Sequence, residues 1–414
     1  MTLRRVGAWA LVGIGVGACE SPSRPSAPAL GRDSAGITIF ESAAPLWAEG
    51  KGWSVGGEPR LELTAPADQP LRGPMEALRL SDGRFVVSEA QPPSVRYFNA
   101  DGRWLYDVGT AADGRNHLQS IFDLDVGKGD TVMAYDLVTR RATRYDPNGG
   151  VVGVTAAPES LSANGASGFL PRGFAPDGRI LLQRADTPFP FPGAAWSILP
   201  DSSTLYWQSP SGALTDSTPR MATGEFFGFP VETGRPVNFL APLARPLGAE
   251  ARFVGGADLV WIGDARRWEL RGVDAEGKIV RIIRLAKPVM PLSPALRDTF
   301  IARYRARRVG GGLVQRQFAE GIGKAPFPDT LPAFTGIFVA TDSTLWLQHA
   351  GLLEGLPGDA ALDWTLIGAD GRWLGEITMP PGFRPTDAGR GWVLGLWSDR
   401  ESAPRVRLYP LVER

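Results

Sequence analysis

Cysteine and histidine are almost absent from this chain. Cys19 is its single thiol, which excludes a disulfide within it, and only His117 and His349 could act as imidazole bases or metal ligands. No Cys/His metal spacing and no phosphate-cradling glycine loop occurs, so zinc-site and nucleotide-loop chemistry drop out. Net charge is absent too. Lys+Arg and Asp+Glu stand at 44 each, which leaves no whole-chain field to draw the protein to nucleic acid, and any charge effect is local. The apolar run from Val6 to Val16 would reach about 16 Å as a helix, half of a hydrocarbon core of roughly 30 Å, so it cannot span a bilayer by itself.

Turn formers and aromatics are in excess instead. With 51 Gly, 36 Pro, 13 Trp and 43% hydrophobic residues, the chain can fill a large core while turning often, the composition of many short strands. The stretch "SDGRFVVSEAQPPSVRYFNADGRWLYDVG" from Ser81 sets two Asp-Gly turns about twenty residues apart with alternating strands between and after them. Such turns need positive φ, which Gly adopts freely and Asp or Asn tolerate.

This stretch recurs. "GDTVMAYDLVTRRATRYDPNGGVVGVT" from Gly129, "ADLVWIGDARRWELRGVDAEGKIVRIIRL" from Ala257 and the segment from Asp342 to Met379 share its order of turn, strand, break, strand, Gly turn and strand. "ADGRWL" appears twice, at Ala100 and Ala369, and weaker copies follow "APDGRILLQ" at Ala175 and "GRGWVLGLW" at Gly389. A further short strand precedes each first turn, as in "EALRL" at Glu76 and "IFDLDV" at Ile121. Four strands joined by tight turns and repeated about six times predict an all-β fold, a six-bladed β-propeller of four-stranded antiparallel blades over residues 36–414. The last copy ends one strand short, and the alternating strand "GITIFES" from Gly36 is expected to close the ring, since an unpaired edge invites association. One insertion is expected to hold a short helix near residues 293–308, with Ser293 as cap and Pro294 in its first position.

These residues resemble six-bladed β-propeller proteins of the NHL and TolB-like type, including tethered bacterial lipoproteins. Propellers of this kind serve as binding platforms, scaffolds, lactonases and lyases, so the resemblance implies the fold far more than the function. At the other end, "MTLRRVGAWALVGIGVGAC" carries Arg4 and Arg5, an apolar stretch and small residues before Cys19. It reads as a targeting segment over residues 1–18. "VGAC" resembles the lipobox of bacterial lipoproteins, which implies lipidation of Cys19 and attachment to a membrane through it. Residues 19–35, rich in Ser, Pro and Ala, read as a tether. Glu20 after the cysteine leans by the same resemblance towards the outer membrane.

Strand reversal sorts the loops onto two faces. The Asp-Gly turns join first to second and third to fourth strands and share one face. The long connections at 156–171, 186–202, 218–250, 286–333 and 350–361 share the other, which is expected to bind because long loops on a rigid scaffold carry most sites. Second strands end there in acids, Glu89, Asp136, Asp264 and Asp399, with Asp186 close behind. Such carboxylates could ring a channel mouth around a cation, or each could accept a backbone N–H in its own turn. Arg297, Arg303, Arg305, Arg307 and Arg308 form a basic cluster on the expected helix. They suit either plain solvation on a helix packed against the disc, or contact with an anionic partner or a membrane surface.

No catalytic constellation emerges. The expected function is a monomeric, lipid-anchored binding or scaffold module for a protein, peptide or glycan, with no cofactor, no metal and no nucleic acid. The alternative is a metal-dependent, lactonase-like hydrolase or lyase using carboxylates of the channel mouth.

Overall fold

Each Asp-Gly turn builds its own hairpin. At Asp82-Gly83 the Asp82 Oδ1 accepts the Arg84 N–H at 3.0 Å while Gly83 takes φ +90°, a conformation without steric cost to glycine. The device recurs at Asp177/Arg179 and Asp370/Arg372, with N–H···Oδ1 distances of 3.1 and 3.2 Å, and in all three the arginine Nε donates to Oδ2 of the same aspartate.

The computed structural model describes residues 31–158, 168–175, 177–185, 191–234, 238–256, 258–306, 312–351, 361–399 and 403–414. The targeting segment, Cys19, Asp186, Arg307 and Arg308 lie outside the described residues. Arg32–Ser34 (β1), within the stretch read as tether, and Ile37–Ser42 (β2) come first, then Trp53–Val55 (β3) and Leu61–Glu62 (β4). Pro74–Arg79, Phe85–Ala90, Pro93–Phe98 and Trp104–Val108 (β5 to β8) form a four-stranded antiparallel sheet. Ile121–Val126, Val132–Asp136, Arg141–Tyr145 and Val151–Ala156 (β9 to β12) form the next. Gly168–Phe174, Ile180–Ala185, Ile198–Ser203, Leu205–Gln208 and Leu214–Ser217 (β13 to β17) follow, with β15 outside the sheet made by the other four. Met221–Val231 (β18) and Phe239–Ala244 (β19) join β15 in a separate three-stranded sheet. Ala251–Gly255, Val260–Asp264, Glu269–Val273 and Ile279–Leu285 (β20 to β23) resume the pattern. Phe334–Val339, Leu345–His349, Asp363–Ile367 and Trp373–Thr378 (β24 to β27) repeat it, and Phe383–Gly389, Trp392–Trp397 and Arg405–Glu413 (β28 to β30) end it.

The first strands pack in cyclic order, β5 on β9, β9 on β13, β13 on β20, β20 on β24, β24 on β28 and β28 back on β5, the ring of a β-propeller. Apolar layers fill the gaps between sheets. Tyr97, Leu118, Val132 and Tyr145 join the β5–β8 sheet to the β9–β12 sheet, while Phe85, Phe98, Leu394 and Val406 join the final sheet to the first. Each such side chain contributes about 1.5–3 kcal/mol by burial, so a gap filled by several of them is strongly held.

Ring closure differs from expectation. β30 is completed by β3, paired through Trp53↔Glu413, and by β4, paired through Leu61↔Leu408. Ile37–Ser42 instead adds parallel to β23, with Thr38↔Arg281 and Ser42↔Leu285. The reason lies in what β2 meets. Phe40 packs with the core formed by Trp261, Trp268 and Trp373, and Arg281 lies 5.8 Å over its ring.

Between these strands the N-terminal segment runs as a belt across successive outer edges. Leu46 and Trp47 N–H donate to the carbonyls of Trp373 and Leu374 in β27, Gly56, Arg60 and Leu63 N–H to carbonyls of β30, and Thr64 N–H to Gly102. Every bond satisfies an edge carbonyl that would otherwise face solvent or another chain.

The long insertions are more structured than expected. Residues 286–333 carry two helices, Pro294–Ala306 (α1) and Leu313–Gly321 (α2). Ser293 Oγ accepts the Leu296 N–H at 3.3 Å at the start of α1. Ile301, Phe318 and Ile322 from this insertion are buried with Phe227, Phe229, Val231 and Ala241 of the β15–β18–β19 sheet. The longest loops thus bury their apolar sides in one another.

Gly371 tests the belt. It holds φ +80°, and an added Cβ would lie 2.7 Å from Phe40 Cγ; Gly391 holds the same φ with nothing within 4 Å. Gly391→Ala should cost about 1–2 kcal/mol for backbone strain alone. Gly371→Ala should cost a further 1–3 kcal/mol or so from overpacking against β2. Urea denaturation of the two variants checks the difference.

Candidate functional site

The six first strands have no hydrogen-bonded ladder to one another, so polar side chains bridge their backbones. Glu76 Oε2 of β5 accepts the Leu124 N–H of β9 at 3.3 Å. Asp387 Oδ2 of β28 accepts the Arg79 N–H at 2.9 Å, Thr386 Oγ1 donates to the Ala77 carbonyl at 2.7 Å, and Arg384 Nη2 donates to the Met75 carbonyl at 2.8 Å. The channel therefore holds several acids close to one another and drawn back from bulk solvent. Burial, reinforced by Asp123 and Asp387, pushes the Asp125 carboxyl up to about 8. Burial pushes Asp387 to about 7 and Asp123 to about 6, and raises Glu76 with added repulsion from Asp123 and Asp125.

At the short-turn end this channel widens into a cavity of about 710 Å³. Its wall comes from the first-to-second-strand turns and strand ends, including Ser81, Lys128, Gly256, Thr341 and Trp392, with Asp125 and Asp387 at the base. A neighbouring cavity of about 270 Å³ between Trp207, Asp177 and Asp274 shares Lys128 and Gly256 with it. On the long-loop side the corresponding hollow, among Arg172, Gln183, Thr223 and Glu225, is about 170 Å³. Of these three cavities, lined by described residues, the largest thus lies opposite the face expected to bind. The physical reason is that short turns leave the mouth open, while the longest insertions fold against each other.

Two cations border the mouth. The Arg79 guanidinium stacks 5.0 Å over Trp392 and 5.9 Å from Phe85, and its buried Nε has no hydrogen-bond partner. Lys128 is exposed. Neither enters an ion pair among the described residues.

The recurrent acids at second-strand ends do not converge. Glu89 is buried, and its carboxylate accepts the N–H groups of Arg72, Gly73 and Gln91 at 3.0, 2.6 and 3.1 Å. Asp136 is also buried and accepts those of Gln119, Ser120 and Thr139. Burial alone would raise Asp136, but these three donors outweigh it and hold the carboxyl below its ordinary value. Asp264 accepts the Arg266 N–H at 3.1 Å. Asp399 is half-buried just beyond β29. Among the described residues no group of three His, Cys, Asp or Glu is placed to hold a metal ion.

On α1, Arg297 lies 5.4 Å over Phe327, Arg305 donates to the Ala319 and Glu320 carbonyls at the end of α2, and Arg303 is exposed. His117 is half-buried, with Nδ1 2.8 Å from the Gly114 carbonyl. His349 is packed edge-on to Trp268, and its Nε2 lies 2.9 Å from Lys287 Nζ and 2.8 Å from Thr365 Oγ1. Burial and the Lys287 charge lower it to about 4, so the ring is neutral at pH 7. Gly52-Trp53-Ser54-Val55-Gly56 has nucleophile-elbow spacing, but Ser54 sits in β3 paired with β30, not on a strand-to-helix turn, and its Oγ donates to the Val412 carbonyl at 3.4 Å.

The channel acids and Arg79 were missed in the sequence although their signal is present. "PMEALR", "IFDLDV" and "FRPTDA" each place charge inside a strand otherwise suited to a core.

No family model matches the sequence, and no curated protein is similar to it. Among solved structures the chain is similar to a member of the duf4221 family from Bacteroides vulgatus ATCC 8482, at 10% identity and TM-score 0.49 over 87% of this chain and 98% of that one. It is also similar to a virginiamycin B lyase from Staphylococcus aureus, at 13% identity and TM-score 0.38 over 84% and 87%. A third is a calcium-binding protein, regucalcin, from Agrobacterium tumefaciens C58, at 11% identity and TM-score 0.36 over 91% and 97%. Likeness at this level says nothing of ligand or reaction.

The channel acids predict a pH dependence. Asp123, Asp125 and Asp387 bind protons more tightly folded than unfolded, so stability is highest below about pH 4 for these groups and is lost as pH rises through 6 to 8. Partial solvent access to Asp125 through the mouth tempers the effect. The urea midpoint should fall between pH 5 and pH 8.5, and Asp125→Asn should fall less; equal slopes in the two proteins would remove the assigned burial cost.

Proposed function

We propose that this chain is a monomeric, exported binding module. It is read as a six-bladed β-propeller of the NHL and TolB-like kind, lipidated at Cys19 and held at the outer membrane. The cyclic contact of β5, β9, β13, β20, β24 and β28 supports the blade count. Among the described residues no helix is long and apolar enough to cross a membrane, a finding compatible with attachment through a lipid.

The ligand is a peptide, protein segment or glycan that enters the short-turn cavity and presents an anionic group there. The observation that carries this reading is the pair of cations lining the 710 Å³ space, Arg79 and Lys128, neither of which enters an ion pair among the described residues. A carboxylate or sulfate in that space would meet both positive charges, and a charge-assisted bond of this type contributes more than a neutral one. Trp392 offers an adjacent aromatic surface. A lactonase-like hydrolase would need several oxygen ligands around one cation. Glu89 and Asp136 instead direct their oxygens into their own loops, which favours binding over metal chemistry.

Arrays of acidic glycans and peptides probed with the purified protein test the reading. A retained compound should bind about tenfold more weakly to Lys128→Glu, roughly 1.4 kcal/mol, with unchanged thermal unfolding. Binding untouched by Lys128→Glu but lost on substitutions within residues 218–250 would move the site to the other face.

A further inference from the structure

The direction of the first strands locates the side from which the chain enters its folded unit. β23 begins at the short turn around Gly277 and ends at Leu285, where residues 286–333 leave on the long-loop side. β2 is parallel to it and ends level with it, since the Ala286 N–H donates to the Ser42 carbonyl. β1 is antiparallel to β2, with Arg32↔Ile39 and Ser34↔Ile37. Followed backwards from Ser34 to Arg32, the chain therefore heads for the long-loop side, along the same outer edge whose continuation carries α1.

Cys19 stands twelve residues before Gly31. Fully extended, that length reaches about 40 Å, and as a coil about 20 Å. A lipid on Cys19 would therefore attach the folded unit through the edge that carries β1.

The long-loop side that carries α1 has an excess of positive charge. Ile301 of α1 is buried, with Phe300 and Tyr304 packed on the same satellite core, while Arg297, Arg303 and Arg305 are exposed. Over residues 293–329 the described cations are Arg297, Arg303, Arg305, Arg316 and Lys324, against Asp298, Glu320 and Asp329, in a chain whose total charge is zero. Two large apolar side chains flank the helix in sequence, Met290 at 57% exposure and Leu313 at 40%. Exposed arginines on a helix are attracted to anionic lipid, each contributing about 1 kcal/mol near such a surface.

We propose that the exposed face of α1 docks on an anionic phospholipid surface, so that the short-turn cavity points away from the membrane. The docking surface stands on this chain's charges and apolar side chains. The orientation rests in addition on the lipidation of Cys19.

The test uses the chain from residue 19 onward carrying Cys19→Ser, which keeps the unit Gly31–Arg414 whole and removes both the lipid and the only thiol. Vesicles of phosphatidylethanolamine with 30% phosphatidylglycerol should bind it at low salt, and phosphatidylcholine vesicles should not. Arg297→Glu with Arg303→Glu should weaken binding about tenfold, whereas Lys128→Glu on the opposite face should not change it. Arg305 is left in place because it caps α2. An environment-sensitive dye on Arg303→Cys should shift to the blue on the anionic vesicles and one on Lys128→Cys should not, a readout that survives if the double variant folds poorly. Equal shifts at both positions, insensitivity to charge reversal, or self-association abolished by Arg303→Glu would overturn the proposal, the last by assigning the face to a second copy. Mass spectrometry of the native N-terminal peptide tests the lipidation separately. An unmodified Cys19 would remove the orientation without altering the vesicle result.

Discussion

The rest of the structure depends on how its outer edges are covered. A ring of twisted sheets satisfies its inner strands by crowding, but each fourth strand exposes a row of carbonyl and N–H groups. Here one segment, residues 37–64, answers several of those edges in turn: β2 on β23, Leu46 and Trp47 on β27, β3 and β4 on β30, and Thr64 on the turn at Gly102. The last of these contacts ties the final sheet to the first. Closure therefore comes from a belt laid across neighbouring sheets, and Phe40, Trp47 and Trp53 supply its apolar grip.

The two faces then diverge for a reason of packing. Insertions on one side are long enough to form their own sheet and helices, which bury Phe227, Phe229, Ile301 and Phe318 together and leave a small polar hollow. Turns on the other side are two to five residues long and ring an open mouth. The acids that bridge the inner strands sit below that mouth, where burial holds them partly protonated, and so the rim cations Arg79 and Lys128 are less opposed than the count of nearby acids suggests.

Much of this was legible in the sequence wherever the determinant is local. Asp-Gly turns state their own geometry, so "SDGRFVV" and "ADGRWL" predict hairpins, and their recurrence predicts sheets and the sorting of loops by face. Ser293-Pro294 likewise marks the start of α1 correctly. What escaped was set by distant partners. Ile37–Ser42 reads as a strand, but nothing in its six residues says that it will lie parallel to β23, some 240 residues away, instead of closing β30. "MATGEFFGFPV" alternates well enough to be β18, yet it stands in an insertion and has no Asp-Gly turn to announce it. Asp136 looked like a possible cation ligand until its three N–H donors, two of them 16 and 17 residues upstream, came into view. The open mouth is a property of the whole ring and of no single segment.

The central claim is a division of labour between faces, ligand at the short-turn mouth and membrane at α1. Photo-crosslinking in the intact cell envelope tests it directly, with a benzophenone amino acid placed at position 128 in one strain and at position 303 in another. The account predicts that position 128 captures a discrete protein, peptide or glycan, and that position 303 captures phospholipid. Phospholipid at position 128 with a discrete partner at position 303 would contradict it.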